Sequence, residues 1–239
     1  MKRIWPVTWF ALRGVYDELF SLAGMGLIWF AVAVLVPYGA FYLAARLFPV
    51  IPVVIGAVLI SLIPAPPITA ALYSVTVEIA HERRIEFGYF WQGFRSYFGL
   101  SWKIAGLLLI SGAILAVDVV FYLRADNMLF SAIGFLGLWA CVFWLAIQLY
   151  LFPLMITQED KRLKLILKNA ALLALAFPFF TLGIMIVTAL LTTISVVAFL
   201  LLVTVWMPFV ALLNSRAMVS SLNKVELLRQ AQAELKAEE

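Results

Sequence analysis

The chain has 239 residues, 65% of them hydrophobic and 13% charged, with 17 Lys and Arg against 13 Asp and Glu for a net charge of +4. Soluble domains are about half apolar and about a quarter charged, so this composition excludes a water-soluble globular domain. The basic balance does not point to nucleic acid, because the charges cluster between long uncharged runs, and one Cys with one His excludes an internal disulfide and a multi-histidine metal centre.

Lys2 and Arg3 open the chain, and the apolar run behind them ends at Arg13 without a small-residue cleavage site. No cleavable signal is expected, and the first span serves as the targeting signal. Trp5, Trp9, Leu12, Tyr16 and Leu19 recur at steps of four and three, which predicts an amphipathic helix lying in the membrane interface. Crossing a bilayer takes about 20 apolar residues at about 1.5 Å each. The uncharged runs place spans at about 22–45, 50–63, 104–123, 129–152, 169–190 and 194–214, followed by a cytoplasmic tail at 216–239. Pro64, Pro66 and Pro67 end the second span, and a helical stretch continues from Ile68. From Asn169 to Ser215 there are 47 uncharged residues, about 70 Å as one helix, so this run folds back, with Thr192 and Thr193 as the expected turn.

Lysine and arginine test the count independently. With alternate loops assigned to the cytoplasm from the N-terminus onwards, fifteen cations fall inside and only Arg46 and Arg124 outside; five spans would weaken this to eleven against six. The expected fold is therefore all-α: a polytopic membrane protein of six transmembrane helices in three hairpins, both termini cytoplasmic, with interfacial amphipathic helices. Its first partner is the lipid bilayer. The outward connections, around Arg46, Arg124 to Asn127, and Thr192, are short, which leaves function to the membrane interior and the cytoplasmic face.

Two more interfacial helices are expected on that face. Phe87, Trp91, Phe94 and Phe98 form a stripe opposite Glu86, Gln92, Arg95 and Ser96. Asp160 caps a third, with Lys161, Lys164 and Lys168 on one side and Leu163, Ile166 and Leu167 around the other. These helices either anchor the bundle or form a docking surface. The tail stripe Met218, Leu222, Val225, Leu228 and Leu235 is read as an exposed helix or a partner contact.

Among polar residues Asp118 stands out, since an acid inside a span is a functional-site hypothesis. It lies about 22 Å along its helix from Lys103, towards the outer rim, where Arg124 or Arg46 is available for a structural ion pair; a proton or substrate role is the other reading. Gln148 lies nearer the inner face and is not expected to meet it. Glu78, His81 and Glu82 share a helical face at metal-ligand spacing and are read as a solvated charged face. Gly134, Gly137 and Cys141, and Ala170 or Ala171 with Ala174, read as close helix packing. Pro64, Pro66, Pro67, Pro153 and Pro208 fall near the inner ends of inward-running helices and mark either kinks or a pathway. There is no Gly-rich phosphate loop, no nucleophile with a base and no HExxH, so neither a cofactor nor an enzyme is expected.

The segment Pro66-Pro67-Ile68-Thr69-Ala70-Ala71-Leu72-Tyr73, followed by Phe90-Trp91-Gln92-Gly93-Phe94-Arg95-Ser96-Tyr97-Phe98, resembles the signature of the YesL-like family of bacterial integral membrane proteins. Tyr150-Leu151-Phe152-Pro153-Leu154 and Leu167-Lys168-Asn169-Ala170-Ala171-Leu172-Leu173 resemble its second half, and Tyr16-Asp17-Glu18-Leu19 is similar to its opening aspartate. An asparagine of the first helix is absent, with Gly24 or Gly26 near its place. Pro66, Pro67, Thr69, Tyr73, Phe94, Pro153, Lys168 and Asn169 thereby join Asp118 as candidate functional or packing positions. The resemblance implies a six-helix protein of the bacterial cytoplasmic membrane whose genes accompany carbohydrate uptake, and it brings no catalytic residues. The expected role is a non-enzymatic accessory component or subunit working with the membrane subunits of a carbohydrate transporter, or a self-associating protein. The alternative is a channel or secondary transporter using the broken helices and Asp118.

Overall fold

The computed structural model describes residues 4–48, 50–83, 85–124 and 128–238, without the side chains of 200, 202 and 236–238. Lys2, Arg3 and Arg84, which entered the charge count, and Asn127, which bounded an outer turn, lie outside the described residues, as does the Lys236 side chain. All regular structure among the described residues is helical. Six segments are long and apolar enough to cross a membrane: Leu19–Leu47, Ile51–Ala80, Phe98–Leu123, Met128–Thr157, Pro178–Val197 and Val203–Leu235.

Helix α1 (Ile4–Asp17) turns the small residues Val7, Ala11 and Val15 onto the bundle and leaves Trp5, Trp9, Leu12 and Tyr16 outside. A helix that buries its small side and exposes its aromatic side suits a lipid–water interface. The first span joins α2 (Leu19–Phe30), a π-helical stretch Ala31–Leu35 and α3 (Val36–Leu47); the last joins α11 (Phe199–Leu201), a second π stretch Leu202–Trp206 and α12 (Met207–Glu238). Each π stretch ends two residues before a proline, Pro37 or Pro208. A proline offers no N–H to the carbonyl four residues back, and its ring crowds that carbonyl. Widening the preceding turn, as where the Val36 N–H reaches the Ala31 carbonyl, passes the proline without breaking the helix.

Helices α4 (Ile51–Ser61) and α5 (Ala65–Ala80) form the second span, so its apolar run extends to residue 80 and not only to 63. Pro64 precedes α5, and Pro66 and Pro67 occupy its first turn, where missing N–H groups cost nothing. These prolines start a helix as much as they end one. From Pro67 to Ala80 nearly every residue of α5 is buried. Helix α6 (Phe87–Ser96) lies against it at Gly93, where an added Cβ would come 2.7 Å from the Ser74 Cβ and 3.2 Å from the Ala71 Cα. Phe90 is buried beside that contact, Phe87, Trp91 and Phe98 are exposed, and half-buried Phe94 stacks on Trp91 at 5.3 Å.

Helices α7 (Phe98–Leu123) and α8 (Met128–Thr157) form the middle hairpin. Gly134 and Gly137 admit Leu123 and Val119 so closely that a Cβ would lie 2.7 and 2.8 Å from their side chains. This is the small-residue packing expected of that face. Helix α9 (Leu163–Ala176) buries Ala170 and Ala174 and begins after Arg162, not at Asp160. Asp160 instead makes a turn ahead of the helix, accepting the Arg162 backbone N–H at 3.0 Å, and the Arg162 contacts hold its carboxyl below the usual range. Lys161 reaches back to cap α8, donating to the Met155 and Ile156 carbonyls at 2.8 and 2.9 Å, while burial pulls its pKa down.

The expected fifth span at 169–190 is corrected. The helix breaks at Phe177 (φ −133, ψ 59), because Pro178 pushes the residue before it out of the α region, and α10 runs Pro178–Val197. The chain then reverses at Ala198 rather than at Thr192 and Thr193. Those hydroxyls bond back to the Thr188 and Ala189 carbonyls at 2.8 and 3.0 Å, which continues the helix. The tail is corrected as well. Helix α12 continues unbroken past residue 216, with Met218 buried and Leu222 and Val225 packed on the core; only Leu228 and Leu235 of the predicted stripe are exposed. Helices α12 and α5 therefore form the interior of the bundle, while α4 and α7 present most of their apolar residues to lipid.

Helix α5 ends with the Glu82 N–H on the Ile79 carbonyl and the Arg83 N–H on the Glu78 carbonyl, a paired C-terminal cap that places Glu82 at φ 62. Left-handed backbone costs a residue with a Cβ about 1 kcal/mol, more than an exposed ion pair returns. Glu82→Gly is therefore expected to raise stability by about 0.5 kcal/mol in denaturant unfolding in micelles; a loss would mean that its pair with Arg216 outweighs the backbone.

Candidate functional site

Helices α5, α7, α8, α10 and α12 line an open cavity of about 390 Å³, with Tyr73 and Asn214 buried on its inner side and Leu145 and Ala189 exposed at its edge. Its polar lining is Thr69 and Tyr73 from α5, Gln148 from α8, Thr188 from α10 and Asn214 from α12; its apolar lining includes Leu108, Phe152 and Met207. No lining side chain carries a formal charge at neutral pH.

Thr69, Tyr73 and Asn214 each carry a hydrogen-bonding group from an apolar helix face towards a neighbour, while Gln148 and Thr188 bond carbonyls one turn back in their own helices. Tyr73 is buried, stacks on Phe152 at 5.2 Å with a 13° angle between rings, and accepts the Asn214 amide at 3.0 Å. One turn earlier Thr69 donates to the Ala65 carbonyl at 3.0 Å and accepts the Trp29 indole N–H at 2.9 Å, which ties α2 to α5. One turn later Thr76 meets Ser215 at 3.2 Å. Tyr150 and Thr181 join α8 to α10 at 2.9 Å. Such bonds cross helix interfaces where lipid offers no partner.

Asn214 uses only half of its amide. Only 4% of the residue is exposed, and its Oδ1, like Gln158 Oε1 and Ser221 Oγ elsewhere, is buried with no hydrogen-bond partner among the described residues. Leaving an amide oxygen unsatisfied in a low-dielectric interior costs about 1–3 kcal/mol. An uncharged amide, hydroxyls and an aromatic face suit a neutral hydrogen-bonding molecule, not an ion.

The chain matches no family model, no curated protein and no solved structure.

Of the positions singled out in the sequence, Thr69 and Tyr73 meet in the cavity, with Pro66 and Pro67 opening their helix and Pro153 one residue past Phe152. Asn169 lies elsewhere, in a groove with Gln158 and Arg229; Lys168 is exposed on α9, and Phe94 is on α6. Asp118 is exposed on the outer part of α7 and forms no ion pair among the described residues. Six residues of helix set Arg124 about 120° round the axis from it, while Arg46 donates to the Tyr42 hydroxyl at 2.6 Å. Gln148 lines the cavity and does not meet Asp118, as its depth implied. Glu78 pairs with Arg83, Glu82 with Arg216, and His81 donates from Nδ1 to the Val77 carbonyl. The missed residue is Asn214. An amide near the end of a 47-residue uncharged run was the signal that marked it.

Proposed function

We propose that the protein is a non-enzymatic component of carbohydrate transport in the bacterial cytoplasmic membrane, with both termini cytoplasmic, and that the cavity at Tyr73 and Asn214 receives a neutral polyhydroxyl solute. The uncharged cavity, lined by amides, hydroxyls and the Tyr73 ring, carries this reading. The charge asymmetry supports the orientation. The resemblance to the YesL-like family supports the link to carbohydrate uptake. Asp118, on which a channel or carrier reading turned, sits outside the cavity and adds nothing to the site.

The test is thermal unfolding of the protein in nanodiscs with neutral mono- and disaccharides, against sugar phosphates as the charged comparison. A neutral sugar at a hundred times its Kd is expected to stabilise by about 2.7 kcal/mol. Asn214→Leu removes the amide at similar volume and is expected to abolish that gain while the protein stays folded. Absence of any neutral-sugar effect, or its persistence in the leucine variant, removes the cavity from the function. Copurification of transporter membrane subunits from native membranes is the matching test of partnership; recovery of the chain alone in mild detergent would count against it.

A further inference from the structure

A second pocket lies at the end of the bundle where α1 meets α12. It measures about 460 Å³ and is lined by Val7 of α1 and, along one stripe of α12, by Arg216, Ser220, Asn223, Lys224 and Leu227. Arg216 is the first charge after the long apolar run, so the pocket begins where the hydrocarbon region ends. The exposed Trp5 and Trp9 of α1, stacked at 6.2 Å, mark the same depth as an interface.

The two cations differ. The Arg216 guanidinium is fixed, donating to the Ala80 carbonyl at 2.7 Å, pairing with Glu82 at 3.1 Å and lying 3.8 Å over the Phe10 ring. Lys224, two turns further on, is exposed and lies 5.3 Å over Phe177. Between them stand a hydroxyl and an amide, the floor is apolar, and no carboxylate lines the pocket. The Lys224 cation beside a neutral hydroxyl and amide matches a phosphodiester, and Val7 with Leu227 offers an apolar path beside it.

We propose that this pocket binds the headgroup of an anionic phospholipid, with Lys224 as its adjustable cation. The site needs nothing of the cavity at Tyr73 and Asn214 and stands independently of the sugar reading.

The test is lipid retention by the full chain, purified in mild detergent from vesicles of equal phosphatidylglycerol and phosphatidylcholine and read by native mass spectrometry. Phosphatidylglycerol is expected to be retained preferentially, and Lys224→Gln to lower its retention about fivefold, the equivalent of about 1 kcal/mol for one surface cation. Lys164→Gln, an exposed charge on α9 outside the pocket, is expected to leave it unchanged. Should Lys224→Gln fail to fold, Asn223→Leu removes the amide from the same pocket and is expected to lower retention likewise. Equal retention of the two lipids, or the same loss from Lys164→Gln, would overturn the proposal. So would displacement of the lipid by millimolar inorganic phosphate, which would make the pocket a site for free anions.

Discussion

Gly26→Ala is expected to destabilise the protein by about 3 kcal/mol, the largest effect of any single methyl group in the bundle. An added Cβ there would fall on the Thr204 carbonyl oxygen and 2.9 Å from the Pro208 ring. The cause begins in the last span. Pro208 has no N–H for the Thr204 carbonyl four residues back, and the π stretch Leu202–Trp206 turns the backbone outwards around it. Helix α2 meets that displaced carbonyl with a residue that has no side chain. Backbone cannot rotate aside as a long side chain can, so α2 must move off the bundle. Gly24 provides the control: nothing lies within 4 Å of a Cβ there, and Gly24→Ala is expected to gain about 0.5–1 kcal/mol from helix propensity. Thermal and denaturant unfolding of both variants in micelles checks the pair. Equal responses would show that the contact between α2 and Thr204 is absent in the membrane protein.

Arg216→Ala is expected to cost about 2–4 kcal/mol. The guanidinium joins three elements: it donates to the Ala80 carbonyl at the end of α5, pairs with Glu82 at 3.1 Å and stacks on Phe10 of α1. The carbonyl belongs to the negative end of a helix, and the guanidinium side chain is only 25% exposed, so this bond is not screened as a surface pair is. Glu82 is 67% exposed on its side of the pair, and Glu82→Ala is expected to change stability by less than about 1 kcal/mol. Arg216→Lys should restore less than half of the loss, because an ammonium cannot bond the carbonyl and lie flat on the ring at once. Chemical unfolding of the three variants separates the contributions. A loss from Glu82→Ala as large as that from Arg216→Ala would place the energy in the ion pair.

Much of this architecture was legible in the residues. The interfacial stripe of α1, the α7–α8 hairpin and the packing at Gly134 and Gly137 follow from period and size alone. Proline was read less well. Pro66, Pro67 and Pro178 were weighed as interruptions or passed over, although a proline in the first turn of a helix is a start signal. Run length requires a fold-back near Thr192 and Thr193, yet their hydroxyls satisfy carbonyls one turn back and keep the helix going. Thr69 and Tyr73 entered the candidate site from their motif, whereas Asn214, 141 residues from Tyr73, had no local sign of its partner.

Charge spacing and apolar run length determined by themselves that this chain lives in a bilayer as a set of spanning helices, because desolvating charge and unpaired backbone in lipid is costly wherever it occurs. Only the tertiary structure decided that α12 and α5 form the interior, that Thr204 must face a glycine, and that Asn214 keeps a bare oxygen beside a cavity. Those outcomes depend on which helix faces meet, and no residue's own neighbours in the sequence carry that information.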